Sequence, residues 1–409
     1  MFPVVSLARR IAVLFRLGAP PALIARFWRW SAGYVVREFA FQLAALLAAG
    51  IAALALTGAA SGTAGAILLA ALGLLLVREL YLAWESWQSA AATKHELEEL
   101  VEGEPAPSRF PRSHLVVPLL MLMPSGVQRE REIPYLETEN RRRCLDIYRP
   151  RDSAADAETR PAIVQVHGGG WIVGSRGEQG IPLLNHLAAN GWVGFNVDYG
   201  LSPKATLPDH VIDVKRAIAW VRDHAQELGV DPARVCLTGG SAGGHLTALA
   251  ALTSDDRSLQ PGFEDADTSV AAAIPFYGIY DLLDAEGRYY PALRDWLLGR
   301  VVVKADRERD PDAFRRVSPT HRVHSGAPPF LIFHGEDDTL VPVEDARDFA
   351  RRLEAVSESQ VLYVELPGSE HAFDLAPSLR TARVVEGIER FLRTVVTSEA
   401  KAERERAAT

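Results

Sequence analysis

One serine of this chain stands where it could act as a nucleophile. Gly239-Gly240-Ser241-Ala242-Gly243 fits G-x-S-x-G, directly after the apolar run Val235–Thr238 and directly before a helical pattern over Gly244–Leu252. A serine on a sharp strand-to-helix turn has strained backbone geometry, so its neighbours must be small. The helix N-terminus behind it favours developing negative charge. An ordinary glycine-rich turn is the competing reading, and the flanking strand and helix argue against it.

Such a nucleophile needs donors for an oxyanion. His167-Gly168-Gly169-Gly170-Trp171 follows the apolar run Ala162–Val166. Consecutive glycines let backbone N–H groups turn toward one point, and an oxyanion takes two or three donors at about 2.7–3.1 Å. Gly169 and Gly170 are the expected donors, with the Ala242 amide as a third. A phosphate-binding loop would carry G-x-x-x-x-G-K-[ST] or G-x-G-x-x-G, and this stretch has neither. His167 is read as a structural residue that orients the glycine loop, not as a base.

A serine hydroxyl is a weak nucleophile until a base takes its proton, and a carboxylate must hold that base. His334-Gly335-Glu336-Asp337-Asp338-Thr339-Leu340-Val341-Pro342 follows the run Phe330–Phe333, and Gly368-Ser369-Glu370-His371-Ala372-Phe373 follows Val361–Val364. His371 is the expected base. Asp337 and Asp338 both fit as its carboxylate partner. Asp374 is weaker, because a close sequence neighbour rarely reaches Nδ1.

The elements that must position these residues follow a regular plan. Cys144–Tyr148, Ala162–Val166, Trp192–Val197, Val235–Thr238, Ala271–Phe276, Phe330–Phe333 and Val361–Val364 read as strands, with helical patterns over Leu183–Ala189 and Ala205–Glu227. Apolar strands alternating with amphipathic helices predict an α/β protein whose mostly parallel sheet has helices on both faces. Chemistry in such sheets sits outside the carboxyl ends of the strands, where all these motifs fall. The globular domain is expected over residues 129–397, with an insertion over 281–325 and a charged tail over 398–409.

Composition narrows the class. The chain has 409 residues, 23% charged and 48% hydrophobic, which excludes a disordered chain, and its net charge of -8 excludes a binder that neutralises nucleic-acid phosphates. Cys144 and Cys236 are too few for a disulfide framework or a four-thiolate zinc site, and read as small buried hydrophobes. From Phe39 to Val77 there is no charged residue or histidine. The stretch divides at the small residues Thr57–Thr63, and each half approaches the ~20 apolar residues that cross a hydrocarbon core. The expectation is a transmembrane helical hairpin at 39–83, with helices at 39–57 and 62–82 and with Trp84 and Trp87 at the interface. A buried soluble hairpin is the alternative. A signal peptide fits poorly, because the apolar run starts late and is long.

Arg9, Arg10, Arg16, Arg26, Arg29 and Arg37 precede the hairpin and place the N-terminus, and after two crossings the following domain, on the cytoplasmic side. Residues 1–38 read as a basic amphipathic segment. Its Ile11–Trp30 part would lie along the membrane surface, broken at Pro20-Pro21. Residues 84–128 read as a linker and possible cap, with an acidic helix over Lys94–Glu104 and a proline-rich stretch over Pro105–Pro111. Leu115–Met123 is open between a core strand, part of a cap and a patch dipping into lipid.

Taken together, His167–Trp171, Gly239–Gly244, His334–Pro342 and Gly368–Phe373 resemble the hormone-sensitive-lipase-like branch of the α/β-hydrolases. The resemblance is closest to actinobacterial carboxylesterases that carry an N-terminal membrane segment. Leu145–Pro150 and Asp198–Pro203 resemble that family too, so the likeness covers about residues 130–395. The chain order Ser241, Asp338, His371 is that of the fold. The family pattern prefers Asp338 over Asp337 as the acid, and implies that residues 281–325, with Tyr289, Tyr290 and Trp296, cap the site. It implies hydrolysis of small-molecule or lipid-derived carboxylic esters, with short to medium acyl chains and no cofactor or metal. Much of the branch has Asp where this chain has Gly240, and Arg where it has Gly200. An amidase of the arylformamidase kind shares the glycine loop and triad and is one alternative; a non-catalytic membrane-attached binding module is another.

Overall fold

The computed structural model describes residues 10–104, 109–122, 126–151 and 159–407, with side chains beyond Thr397 left aside. Arg9, the centre of the proline-rich stretch, Met123 and the end of the charged tail lie outside the described residues. Eight strands form one sheet: β1 (Val127–Glu137), β2 (Arg142–Pro150), β3 (Arg160–Val166), β4 (Val193–Val197), β5 (Val230–Gly240), β6 (Ala273–Phe276), β7 (Phe330–Gly335) and β8 (Val361–Leu366). Their order is β1-β2-β4-β3-β5-β6-β7-β8. β1 and β2 pair antiparallel at one end, β2 meets β4 antiparallel, and all remaining pairs are parallel. This is the mostly parallel sheet expected from the alternating pattern, in the α/β-hydrolase arrangement that the resemblance implies. The strand β1 was not among the expected ones, because its exposed edge alternates charged residues with few apolar ones.

The period of two in the strands supplies two cores. Ala162, Val164 and Val166 of β3 join one cluster, and Ile163 between them joins the other. All four are fully buried.

Three long helices precede the sheet: α1 (Pro21–Glu38), α2 (Ala40–Thr57) and α3 (Gly62–Leu100). α2 and α3 are each long and apolar enough to cross a membrane. Their outer surfaces fit that medium, since Leu46, Leu56 and Leu74 are at least 70% exposed. α3 has 39 residues, about 58 Å at a rise of ~1.5 Å per residue.

Two differences from expectation stand out here. Residues 84–100 are no linker but the continuation of α3. Their buried side is a seam of small residues, Ser86, Ser89, Ala90, Thr93 and finally Leu97, while the charges of Lys94–Glu99 face out. Leu97 packs where Gly387 of the last helix leaves room; a Cβ there would lie 2.5 Å from Leu97 Cδ1. The described part of Leu115–Met123, up to Leu122, is no strand either. It forms the short turns Arg112–Val116 and Pro118–Leu122, because Pro118 interrupts any ladder. Val116 and Leu119 stay exposed, the Leu115 carbonyl accepts from Gln42 of α2, and the segment lines no part of the cavity described below.

Among the remaining helices are α4 (Ile181–Ala189), α5 (Asp209–Asp223), α6 (Ala242–Ala251), α7 (Val343–Glu354) and α8 (Leu379–Ala407). α1, α3 and α8 meet at a buried ion pair. The Arg380 guanidinium donates to Glu38 at 2.7 Å and to the Ser89 hydroxyl at 3.0 Å, and the two charged side chains are 2% and 0% exposed. Removing one partner leaves a buried charge alone, so Arg380→Ala is expected to cost about 3–5 kcal/mol, read from denaturant unfolding in detergent. The double variant Glu38→Leu/Arg380→Met, which removes both charges, is expected to cost clearly less.

Candidate active site

The turn from β5 into α6 holds Ser241 at φ 59° and ψ -120°, a region that L-residues avoid. The surrounding glycines make it possible. A Cβ on Gly239 would lie 2.6 Å from the Val166 carbonyl, and one on Gly243 would collide with the same oxygen. The Ser241 amide donates to the Phe276 carbonyl at 2.9 Å, which ties the turn to β6.

His371 reaches Ser241 from the loop after β8. Its Nε2 lies 2.9 Å from the Ser241 hydroxyl, and its Nδ1 lies 2.6 Å from Asp338 Oδ2. With Nδ1–H donating to the carboxylate, Nε2 is left free to accept a hydrogen bond from the Ser241 hydroxyl. Asp338 and Asp337 are now separated by position. Asp338 is buried under the imidazole, whereas Asp337 is turned outward and pairs with Arg37 at 2.6 Å. The other Asp338 oxygen accepts the Leu340 and Val341 amides, both at 2.8 Å, and His334 Nε2 lies 3.1 Å from Oδ2. Burial alone would raise the Asp338 carboxyl. The charge of His371 and hydrogen bonds from His334 and His371 outweigh it and hold the group well below the usual carboxylate range. Asp374 does not touch the imidazole; it accepts the Tyr277 hydroxyl.

The glycine loop lies against the serine turn. A Cβ on Gly168 would be 3.0 Å from Ser241 Cβ, and the Gly168 amide is held by Gln179 Oε1 at 2.6 Å. Gly169 and Gly170 have φ of 117° and 59°. Among the described residues their amides make no hydrogen bond. Ala242 opens α6, where amides lack an intrahelical acceptor. His167 stays within the loop: Nδ1 lies 2.8 Å from the Gly168 carbonyl and the ring stacks on Tyr199.

Both departures from the hydrolase pattern have a steric reason. A side chain at Gly240 would meet the Tyr277 hydroxyl at 2.5 Å. One at Gly200 would meet the Arg143 guanidinium at 2.7 Å, which fills that space and binds Asp213 at 2.8 Å.

A cavity of about 120 Å³ opens onto Ser241 and His371. Tyr290, Leu293 and Leu297 of the insertion line it, whereas Tyr289 is turned to Asp345 and Trp296 is absent from its wall. The opposite wall is Leu23, Phe27 and Trp30 of α1. The cavity wall therefore draws on the insertion and on the N-terminal segment expected along the membrane, and on none of residues 84–128. The spacing of those three α1 residues was a readable signal for an apolar face, but not for what it packs against; Gln179 and His334 carried none.

The family model described as BD-FAE matches residues 145–353, half of the chain. The chain belongs to the BD-FAE family. Within and around that core it is 46% identical over 255 residues to the probable carboxylic ester hydrolase LipM of Mycobacterium tuberculosis, covering 62% of this chain and 59% of that protein. It is 43% identical over 261 residues to esterase LipQ of the same organism, covering 64% and 61%. The chain thus spans about three fifths of the curated relatives it matches. Among solved structures, the apo form of Thermogutta terrifontis esterase 2 is 32% identical with a TM-score of 0.53, covering 68% of this chain and 95% of that one. The BD-FAE match ends before β8, so His371 lies outside it.

Asp345 anchors the insertion, accepting the Tyr289 hydroxyl and the Tyr280 amide, each at 2.6 Å. Burial, with the Asp281 carboxylate adding to it, pushes Asp345 up to about 6 against those hydrogen bonds. A carboxyl raised in the folded state contributes stability below its ordinary value near 4, and that contribution is lost as pH rises through about 6. Asp345→Asn is therefore expected to gain on the wild type by about 2–3 kcal/mol between pH 4 and pH 8, measured as the difference in unfolding free energy.

Proposed function

We propose that this chain hydrolyses carboxylic esters of short to medium acyl chains through an acyl-enzyme on Ser241, at a membrane to which α2 and α3 anchor it. The observation that carries the reading is the single imidazole within hydrogen-bonding distance of both the Ser241 hydroxyl and the Asp338 carboxylate. Several relatives support it by name. Thermogutta terrifontis esterase 2, 32% identical, is phosphonylated by sarin, so it carries a nucleophile that attacks an electrophilic centre. It also exists in propionate-bound and butyrate-bound forms, which agrees with a narrow acyl cavity.

The steps follow from the geometry. Ser241 Oγ attacks the ester carbonyl carbon as its proton passes to His371 Nε2. The charge developing on the carbonyl oxygen is met by the Gly169, Gly170 and Ala242 amides. Asp338 remains ionised and stabilises the imidazolium. Collapse breaks the bond to the leaving alcohol, which takes the His371 proton. A water then gives a proton to His371 and attacks the acyl carbon, releasing the carboxylic acid and restoring the Ser241 hydroxyl.

The membrane reading has its own support. α1 packs on the globular domain before the hairpin, and the second half of α3 packs on it afterwards. Both ends of the hairpin lie on one side of any bilayer it enters, which agrees with two crossings. With the arginines of residues 10–37, that side is the cytoplasmic one.

Ser241→Ala is expected to abolish turnover of p-nitrophenyl butyrate and labelling by a fluorophosphonate, without loss of folding by circular dichroism. Asp338→Asn is expected to lower kcat by about 10³–10⁴-fold and Asp337→Asn by less than tenfold; the reverse ranking would move the acid. The protein is expected to stay with membranes through an alkaline carbonate wash, and release into the supernatant would remove the spanning hairpin.

A further inference from the structure

The acid and base of the proposed triad sit on separate loops, after β7 and after β8. One helix grips both from outside. The Arg26 guanidinium of α1 donates to the carbonyl of Thr339, the residue after Asp338, at 2.7 Å. Arg37 donates to the Asp337 carboxylate at 2.6 Å and to the Gly368 carbonyl at 2.7 Å, so one guanidinium bridges the two loops. Trp30 Nε1 donates to the carbonyl of His371 itself at 2.8 Å. Its ring meets the imidazole edge-on with centroids 6.4 Å apart, while Tyr277 approaches the same imidazole with centroids 4.6 Å apart. Positions 26, 30 and 37 are spaced by four and seven, which sets them along one side of the helix.

We propose that Arg26, Trp30 and Arg37 are positioning residues, and that α1 holds the acid loop in register with the base loop. The inference rests on the triad reading above. A loop after the last strand has few covalent constraints, yet the His371 ring has to stay within reach of Ser241 and Asp338 together. A displacement of about 1 Å at such a site can cost ~10²-fold in rate. A guanidinium that binds one group on each loop fixes their separation, and a donor on the His371 carbonyl fixes the height of the imidazole. Neither arginine lines the cavity over Ser241, so their effect falls on the chemical step and not on substrate binding. α1 cannot drift from the loops alone, because its last residue, Glu38, is locked to Arg380.

The test uses the full-length protein in detergent with p-nitrophenyl butyrate. Arg37→Ala is expected to lower kcat about three- to tenfold with KM within about twofold, as for loss of an interaction that shapes only the reacting geometry. Arg37→Lys, which keeps a donor, is expected to recover at least half of that loss. Trp30→Phe keeps an aromatic ring and loses only the N–H, and is expected to lower kcat similarly. Arg29→Ala, at an exposed position of the same helix, is expected to leave both constants unchanged. Unchanged kcat in folded Arg37→Ala and Trp30→Phe, or a loss confined to KM, would overturn the proposal. Absence of Ser241-dependent turnover in the wild type would instead remove the triad reading, so the two failures are told apart.

Discussion

The site depends on one backbone conformation that a serine does not favour. A non-glycine residue held in such a region costs about 1–3 kcal/mol and persists only where its surroundings over-determine it. At Ser241 the surroundings are three adjacent parallel strands. β5 delivers the chain, the Phe276 carbonyl at the end of β6 accepts the Ser241 amide, and the Val166 carbonyl at the end of β3 presses on the glycines either side. α6 takes up the chain at once, with the His245 amide donating to the Ser241 carbonyl at 2.9 Å. The strand order is therefore part of the chemistry. If β3 and β6 did not flank β5, nothing would hold the hydroxyl outward at the carboxyl end of the sheet.

Electrostatics make the second demand, and backbone amides meet most of it. A buried carboxylate without partners would take up a proton and lose its hold on the imidazole. Asp338 keeps its charge because the turn after β7 points the Leu340 and Val341 amides at one oxygen, while His334 and His371 approach the other. His334 is itself fully buried at the end of β7, so the strand supplies one partner and its following loop supplies the carboxylate. Asp345 and Asp374 are the contrast. They have fewer donors, and burial pushes both up to about 6. The same residue type thus serves as a charge in one place and as a hydrogen-bonding anchor in two others.

What could be read in the sequence was what local sterics dictate. Gly239, Gly243 and the glycines of 168–170 are demanded by contacts within a few ångströms of Ser241, so spacing alone exposed the turn and the loop. The choice between Asp337 and Asp338 came only from the family resemblance, because adjacent residues on a turn differ only in which one points inward. The first strand was hidden by its edge position. The helix through residues 84–93 was hidden by its own seam, since Ser86, Ser89 and Thr93 pack closely on α8 without looking apolar. The place of α1 was hidden for a different reason. A stripe of Leu23, Phe27, Trp30 and Tyr34 suits a lipid surface or a protein surface equally, and the arginines beside it suit headgroups as well as carbonyl oxygens.

That ambiguity has a structural resolution, and it explains why the segment is basic. Arg26 and Arg37 are spent on carbonyl and carboxylate oxygens of the loops after β7 and β8, and Arg10 on Glu178 at 3.0 Å. These loops end parallel strands, where unpaired carbonyls and acidic residues collect, so a cap that covers them needs cationic donors as well as an apolar wall. A helix with only the apolar stripe would bury those oxygens unsatisfied. The two requirements, apolar wall and cationic clamp, are met on one helix that ends where the apolar hairpin begins. α3 then carries the hairpin back to the domain without a joint, and the buried Arg380–Glu38 pair pins the beginning of that excursion beside its return. The cavity and the hairpin are consequently fixed in one relation, as a flexible linker would not allow.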